Sequence, residues 1–126
     1  MSTEYIAGSC NIGKGEVRRR KFVALIGAAI TLTTATTLFI TDQSRVARLS
    51  IFMPAIIFAI GFVQSRKKFC LAYGLAGTFN FGGLGDVKRV QSEEDRKADR
   101  KTALSILAQS AMLAVAITAV VFALPL

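Results

Sequence analysis

Cys10 and Cys70 are the residues best suited to chemistry, in a chain that holds no histidine. Without His, the commonest metal ligand and the usual general base are both missing. Buried as small hydrophobes, the two thiols need no function. Three chemistries stand beside that reading: a regulatory disulfide, a zinc or iron–sulfur site sharing four thiolates across a homodimer, and acylation of one cysteine at a membrane surface. Cys10 precedes Asn11-Ile12-Gly13, and Cys70 precedes a stretch containing Asn80-Phe81-Gly82. Asn and Gly favour tight turns, so these two segments are expected to pack together. Cys10 and Cys70 are therefore a candidate thiol pair, and no resident metal or other cofactor is expected.

No Ser-His-Asp, Cys-His or paired-carboxylate set can be assembled from the remaining residues. Gly74-x-x-Gly77 and Gly82-Gly83-x-Gly85 lack the Gly-Lys-Ser/Thr of a phosphate loop and any strand–helix frame around them. Glu93, Glu94, Asp95 and Asp99 fall in a charged run and read as a solvated helix face. The expectation is a protein that is not an enzyme.

The elements that position these residues are set by three long uncharged blocks. Phe22 to Thr41 holds about 20 residues, the length needed to cross a hydrocarbon core of roughly 30 Å. It follows Arg18, Arg19, Arg20 and Lys21, which read as lipid-headgroup anchors. It exceeds the apolar core of a cleaved signal peptide and is read as a span. The second block, Leu49 to Val63, is short for a span. Snorkelling by Arg48 and Arg66 is expected to make up the difference, with Arg66, Lys67 and Lys68 as its anchors. The third block, Thr102 to Leu124, continues without a breaker from the charged run Asp86 to Lys101 and stops at Pro125. Ser92 is a candidate N-cap with acids in the turn behind it.

The fold class expected is all-α, an integral membrane protein in one domain covering residues 1–126. The caps and breakers place its helices at about 15–41, about 47–65 and about 92–124, the last including a cytoplasmic charged extension. Between the second and third spans, the Gly- and Phe-rich segment 69–85 is too short to cross. It is expected to lie at the interface, half helix and half loop.

Polar and small residues inside the spans mark helix packing. Gly27, Thr31 and Thr34 recur at helical spacing in the first span, and Ser105, Gln109 and Met112 share one face of the third. A membrane-embedded Gln more often hydrogen-bonds a neighbouring helix than a substrate. None of the blocks contains an ionisable residue, the usual mark of pumps and proton relays. A small channel or transporter is thus the least favoured function.

Charge fixes the orientation. The net charge is +8, from 16 Lys and Arg against 8 Asp and Glu. All the basic residues except Arg45 and Arg48 lie before the first span or between the second and third. By the positive-inside rule the N-terminus is cytoplasmic and the C-terminus outside. The partners this implies are anionic headgroups of the cytoplasmic leaflet, with no nucleic acid.

Asn11-x-Gly13-x-x-Glu16, followed by arginines and a Gly-containing apolar helix, resembles the start of the small membrane domain fused to some bacterial rhodaneses. That family has Asp in place of Glu16 and Arg in place of Val17. The resemblance covers about residues 10 to 27 of this chain and implies a bacterial inner membrane, with no mechanism to carry over. The function expected is a small accessory or self-assembling membrane subunit; a cytoplasmic-face thiol redox or metal module is the alternative.

Overall fold

In the computed structural model, which describes residues 5–82 and 85–125, the uncharged blocks are helices. α1 runs over Lys14–Ile40. A 3-10 turn, Val46–Ile51, leads without a break into α2, Phe52–Lys67. Pro54 stands in the first turn of α2, where a missing N–H costs least. Lys68 ends that helix in the left-handed conformation (φ 54°), its N–H returning to the Gln64 carbonyl. A short helix α3, Leu71–Ala76, follows and stops at left-handed Gly77. α4 covers Glu93–Ala123, beginning where Ser92 Oγ accepts from the Asp95 N–H at 3.3 Å.

The architecture is mostly helical, with α2 packed between α1 and α4. Among the described residues, three helical stretches are long and apolar enough to cross a membrane: Lys14–Ile40, Val46–Lys67 and Glu93–Ala123. One sheet element joins the helices. β1 (Thr78–Phe79) pairs antiparallel with β2 (Lys88–Arg89), placing Thr78 opposite Arg89.

Close backbone approach makes the α1–α2 contact. A Cβ on Gly27 would lie 2.5 Å from the Phe58 nitrogen, and one on Gly61 would lie 2.8 Å from the Ala24 nitrogen and the Arg20 carbonyl. Each helix thus supplies one residue without a side chain at the crossing. The α2–α4 contact is filled by small and branched side chains. Ile51, Ala55, Ala59, Ala114 and Val121 form one buried cluster, and Val63, Phe69, Ala103 and Ile106 form a second.

The segment 69–85 is part helix, Leu71–Ala76, and part strand and loop, and it is anchored by packing against the bundle. Phe69 is fully buried, and α3 packs on α4 where Gly74 faces Phe69 and Ala103. Glycine is required there because a Cβ would reach within 2.6 Å of the Phe69 ring. Gly83 and Leu84, in the same segment, lie outside the described residues.

Candidate functional site

The polar ends of α1, α2 and α4 meet in a cap built on two buried asparagines, Asn11 and Asn80. Residues 10–13 run extended past the end of α2. The Asn11 side chain reads both polar groups of one peptide: Oδ1 accepts from the Cys70 N–H at 2.6 Å, and Nδ2 donates to the Cys70 carbonyl at 3.1 Å. Its backbone N–H donates to Lys68 O, and its carbonyl accepts from Asn80 N–H at 2.9 Å. Gly13 N–H then donates to Asn80 O, also at 2.9 Å. These bonds pair the backbone N–H groups of Asn11 and Gly13 and the Asn11 carbonyl without a regular sheet. The segments following the two cysteines do lie against each other.

The first charge in the cap is Glu16, 3% exposed in the opening turn of α1. Oε1 pairs with Arg19 at 2.7 Å and Arg20 at 3.5 Å, and Oε2 accepts from the Tyr73 hydroxyl at 2.6 Å. Arg20 extends the chain of contacts, its Nη2 donating to Cys70 Sγ at 3.0 Å. Burial raises the Tyr73 phenol above its ordinary value, and the hydrogen bond to Glu16 and the carboxylate charge raise it further.

The second is Asp99, fully buried on α4. Its Oδ2 accepts from the Tyr5 hydroxyl at 2.5 Å and its Oδ1 from the Gly8 N–H at 2.7 Å. Thr102 Oγ1 donates to the Gly8 carbonyl at 2.7 Å, and the Tyr5 ring stacks on Phe79 at 4.9 Å. Together these hold residues 5–13 as a strap across α4. Burial, then the hydrogen bond and charge of Asp99, push the Tyr5 phenol well above its usual range. Asp99 is therefore no part of a solvated face, because it supplies the acceptor that the strap's turn at Gly8 needs.

The third buried charge sits at the opposite end of the bundle. Arg48 is 3% exposed, and its Nη1 donates to the carbonyls of Leu124 at 2.7 Å, Val121 at 3.2 Å and Phe122 at 3.4 Å. Its guanidinium lies over the Phe39 ring at 4.7 Å. The sequence suggested a snorkelling side chain; in the fold the same charge closes the C-terminus of α4, whose last carbonyls have no partner within the helix.

The thiols are both free and buried. Cys70 Sγ receives Arg20, while Cys10 Sγ contacts the Ile12 carbonyl at 3.6 Å. Among the described residues no group of His, Cys, Asp and Glu is arranged to hold a metal ion. Of the basic residues flanking the spans, Arg18, Lys21, Arg66 and Lys67 are exposed, Arg19 pairs with Glu16, Arg20 turns inward, and Lys68 is half-buried. Gly27 lies at the α1–α2 crossing, with Thr31 and Thr34 half-buried one and two turns on. Ser105, Gln109 and Met112 face outward from α4, and the face packed on α2 carries Ile106, Ser110, Ala114 and Thr118 instead. Gln109 Nε2 donates to Ser105 Oγ at 3.0 Å on this outer face.

Sequence reasoning passed over Gly61, gave Asn11 and Asn80 only as turn formers and Glu16 only as part of a resemblance, and placed Asp99 on a solvated face; their buried roles come from the structure. A signal existed for the asparagines: each is flanked on both sides by apolar residues, Cys10 and Ile12 for one, Phe79 and Phe81 for the other. Comparison with known protein families, curated proteins and solved structures gives no match to this chain.

Proposed function

We propose that the chain is a three-span integral membrane protein that acts, without catalysing a reaction, by assembling in the bilayer through the outer face of α4. Its cap lies in the cytoplasm and its C-terminus outside, in the inner membrane of a bacterium. The observation that carries the assembly reading is Gln109. It lies seven residues into the uncharged part of α4, about 10 Å along the helix axis. It is exposed, and among the described residues its one hydrogen bond is to Ser105 on its own helix. An amide facing hydrocarbon retains an unused donor and acceptor, which a second helix can satisfy.

The other outward-facing polar residues differ. Thr33, Thr36 and Thr37 of α1 each donate to the carbonyl four residues back, at 2.8 to 2.9 Å. That leaves them compatible with lipid, so α1 needs no partner on this side. The large exposed apolar residues of all three spans, among them Leu25, Leu32, Met53 and Met112, support a lipid surround. The partner is a second copy of this chain or another membrane subunit offering a polar group at the same depth.

Native mass spectrometry in mild detergent tests this. The expected result is a dimer, a larger oligomer or a complex with a co-purifying membrane protein, reduced to the single chain by Gln109→Leu. A wild-type protein that is strictly monomeric and alone would overturn it.

A further inference from the structure

A groove at the start of α1 gathers cations that no carboxylate among the described residues neutralises. Lys14, Arg18 and Lys21 line it from one helix face, at spacings of four and three residues. Lys68 joins them from the left-handed end of α2. The groove has a volume of about 220 Å³, and its remaining walls are Ile12, Gly13 and Val17. Among the described residues the ion pairs join Glu16 to Arg19 and Arg20, so Lys14, Arg18, Lys21 and Lys68 are left without an acidic partner. Like charges at these spacings oppose the helix that carries them. An anion between them would reverse that repulsion.

The same face of α1 continues into an apolar channel. Lys21 also borders a second, mostly apolar groove of about 390 Å³, lined by Ala24, Leu25 and Ala28 of α1 and by Phe58, Phe62, Ser65 and Arg66 of α2. A ligand spanning both would present an anionic group to the cations and a hydrocarbon tail to the α1–α2 seam. Free phosphate would use the first groove alone.

We infer that this pair of grooves is a binding site for one anionic phospholipid, its phosphate held by Lys14, Arg18, Lys21 and Lys68 and one acyl chain laid along Leu25 and Phe62. The inference rests on the membrane placement proposed above. Arginine supplies a planar fork for phosphate oxygens, and the lysines act as mobile point charges around it. The small side chains of Ala24 and Ala28 wall a groove that runs beside the close α1–α2 crossing.

The test is lipid retention measured by native mass spectrometry after purification from vesicles of mixed phosphatidylglycerol and phosphatidylcholine. Flotation of the protein with those vesicles is scored first, and failure to float overturns the membrane placement itself. For protein that floats, the expected result is one retained phosphatidylglycerol per chain, in at least tenfold preference to phosphatidylcholine. The double variant R18Q/K21Q should lose that preference, whereas K97Q/R100Q, which removes the same charge from α4, should keep it. Retention without headgroup preference in the wild type, or equal loss in both variants, would overturn the site. Displacement of the lipid by millimolar inorganic phosphate as readily as by short-chain phosphatidylglycerol would overturn the acyl-chain half of it. The wild-type preference decides even if the double variant proves unstable.

Discussion

The Arg48 guanidinium stands 2.7 Å from the Leu124 carbonyl, joining the 3-10 turn before α2 to the end of α4 across 76 positions of chain. It brings a positive charge to the negative end of α4 and satisfies carbonyls that have no acceptor role inside the helix. Replacing it leaves those carbonyls, and the space beside Phe39, without a partner. Hydrogen bonds to charged groups contribute about 1.5–3 kcal/mol each. Arg48→Gln should therefore lower thermal stability in detergent by about 2–3 kcal/mol. Arg45→Gln, at an exposed site three residues earlier, should stay within about 0.5 kcal/mol. Equal effects of the two changes would show that Arg48 acts only as surface charge.

The crossing of α1 and α2 should tolerate no side chain at Gly27 or Gly61. The nearest atoms are backbone atoms of the facing helix, at 2.5 Å and 2.8 Å, so relief requires the helices to separate. Gly27→Ala and Gly61→Ala should each destabilise by about 1–3 kcal/mol, the range for overpacked interiors. Gly15, with nothing within 4 Å of a built Cβ, provides the control. Unchanged melting of both crossing variants would mean that the helices do not pack this closely.

Asp99 should govern whether the strap stays down. Removing its carboxylate leaves the Tyr5 hydroxyl and the Gly8 N–H without their acceptor, each at a cost of about 1–3 kcal/mol. Asp99→Ala should speed amide exchange through residues 6–13 by at least tenfold while leaving the centre of α1 protected. Exchange at Gly8 that matches the wild type would sever the strap from Asp99.

Alkaline pH should loosen the cap through the two tyrosines. Both phenols have folded-state values raised above the ordinary value of 10.0, so the folded cap holds their protons more tightly than the unfolded chain does. Their stabilisation is complete below about pH 10 and is lost as pH rises from there toward the folded-state values. The double variant Y5F/Y73F should start less stable at neutral pH and lose less between pH 9 and about pH 11. Parallel curves for variant and wild type would contradict this assignment.

The long helices are legible in the amino-acid sequence because their signals are local. An uncharged run from Phe22, a serine before Glu93 and a proline at position 125 depend on nothing distant. The buried charges are illegible for the opposite reason. Glu16 finds Tyr73 57 positions on, and Asp99 finds Tyr5 94 positions back. Nothing next to Asp99 distinguishes it from exposed Glu93 and Glu94. Local charge density suggested a solvated face, and long-range pairing decided otherwise. The face of α4 that meets α2 is obscured in a similar way. Ser105 and Gln109 share a polar face with the proper period, but the packed face uses Ala103, Ile106, Ser110 and Ala114, one residue out of phase with them. Because α4 also exposes large apolar residues such as Leu104, Met112 and Val115, polarity does not mark its outside, and period alone cannot choose between the two faces.

The most direct test of the three-span placement is labelling by a membrane-impermeant maleimide in intact cells. Single cysteines are introduced at Ser44, in the exposed turn after α1, and at Gln91, exposed before α4. The native Cys10 and Cys70 are buried and serve as the background. Ser44→Cys is expected to react in intact cells, and Gln91→Cys only after the membrane is permeabilised. Reaction at position 91 without permeabilisation, protection at position 44, or recovery of the protein in the soluble fraction would contradict it.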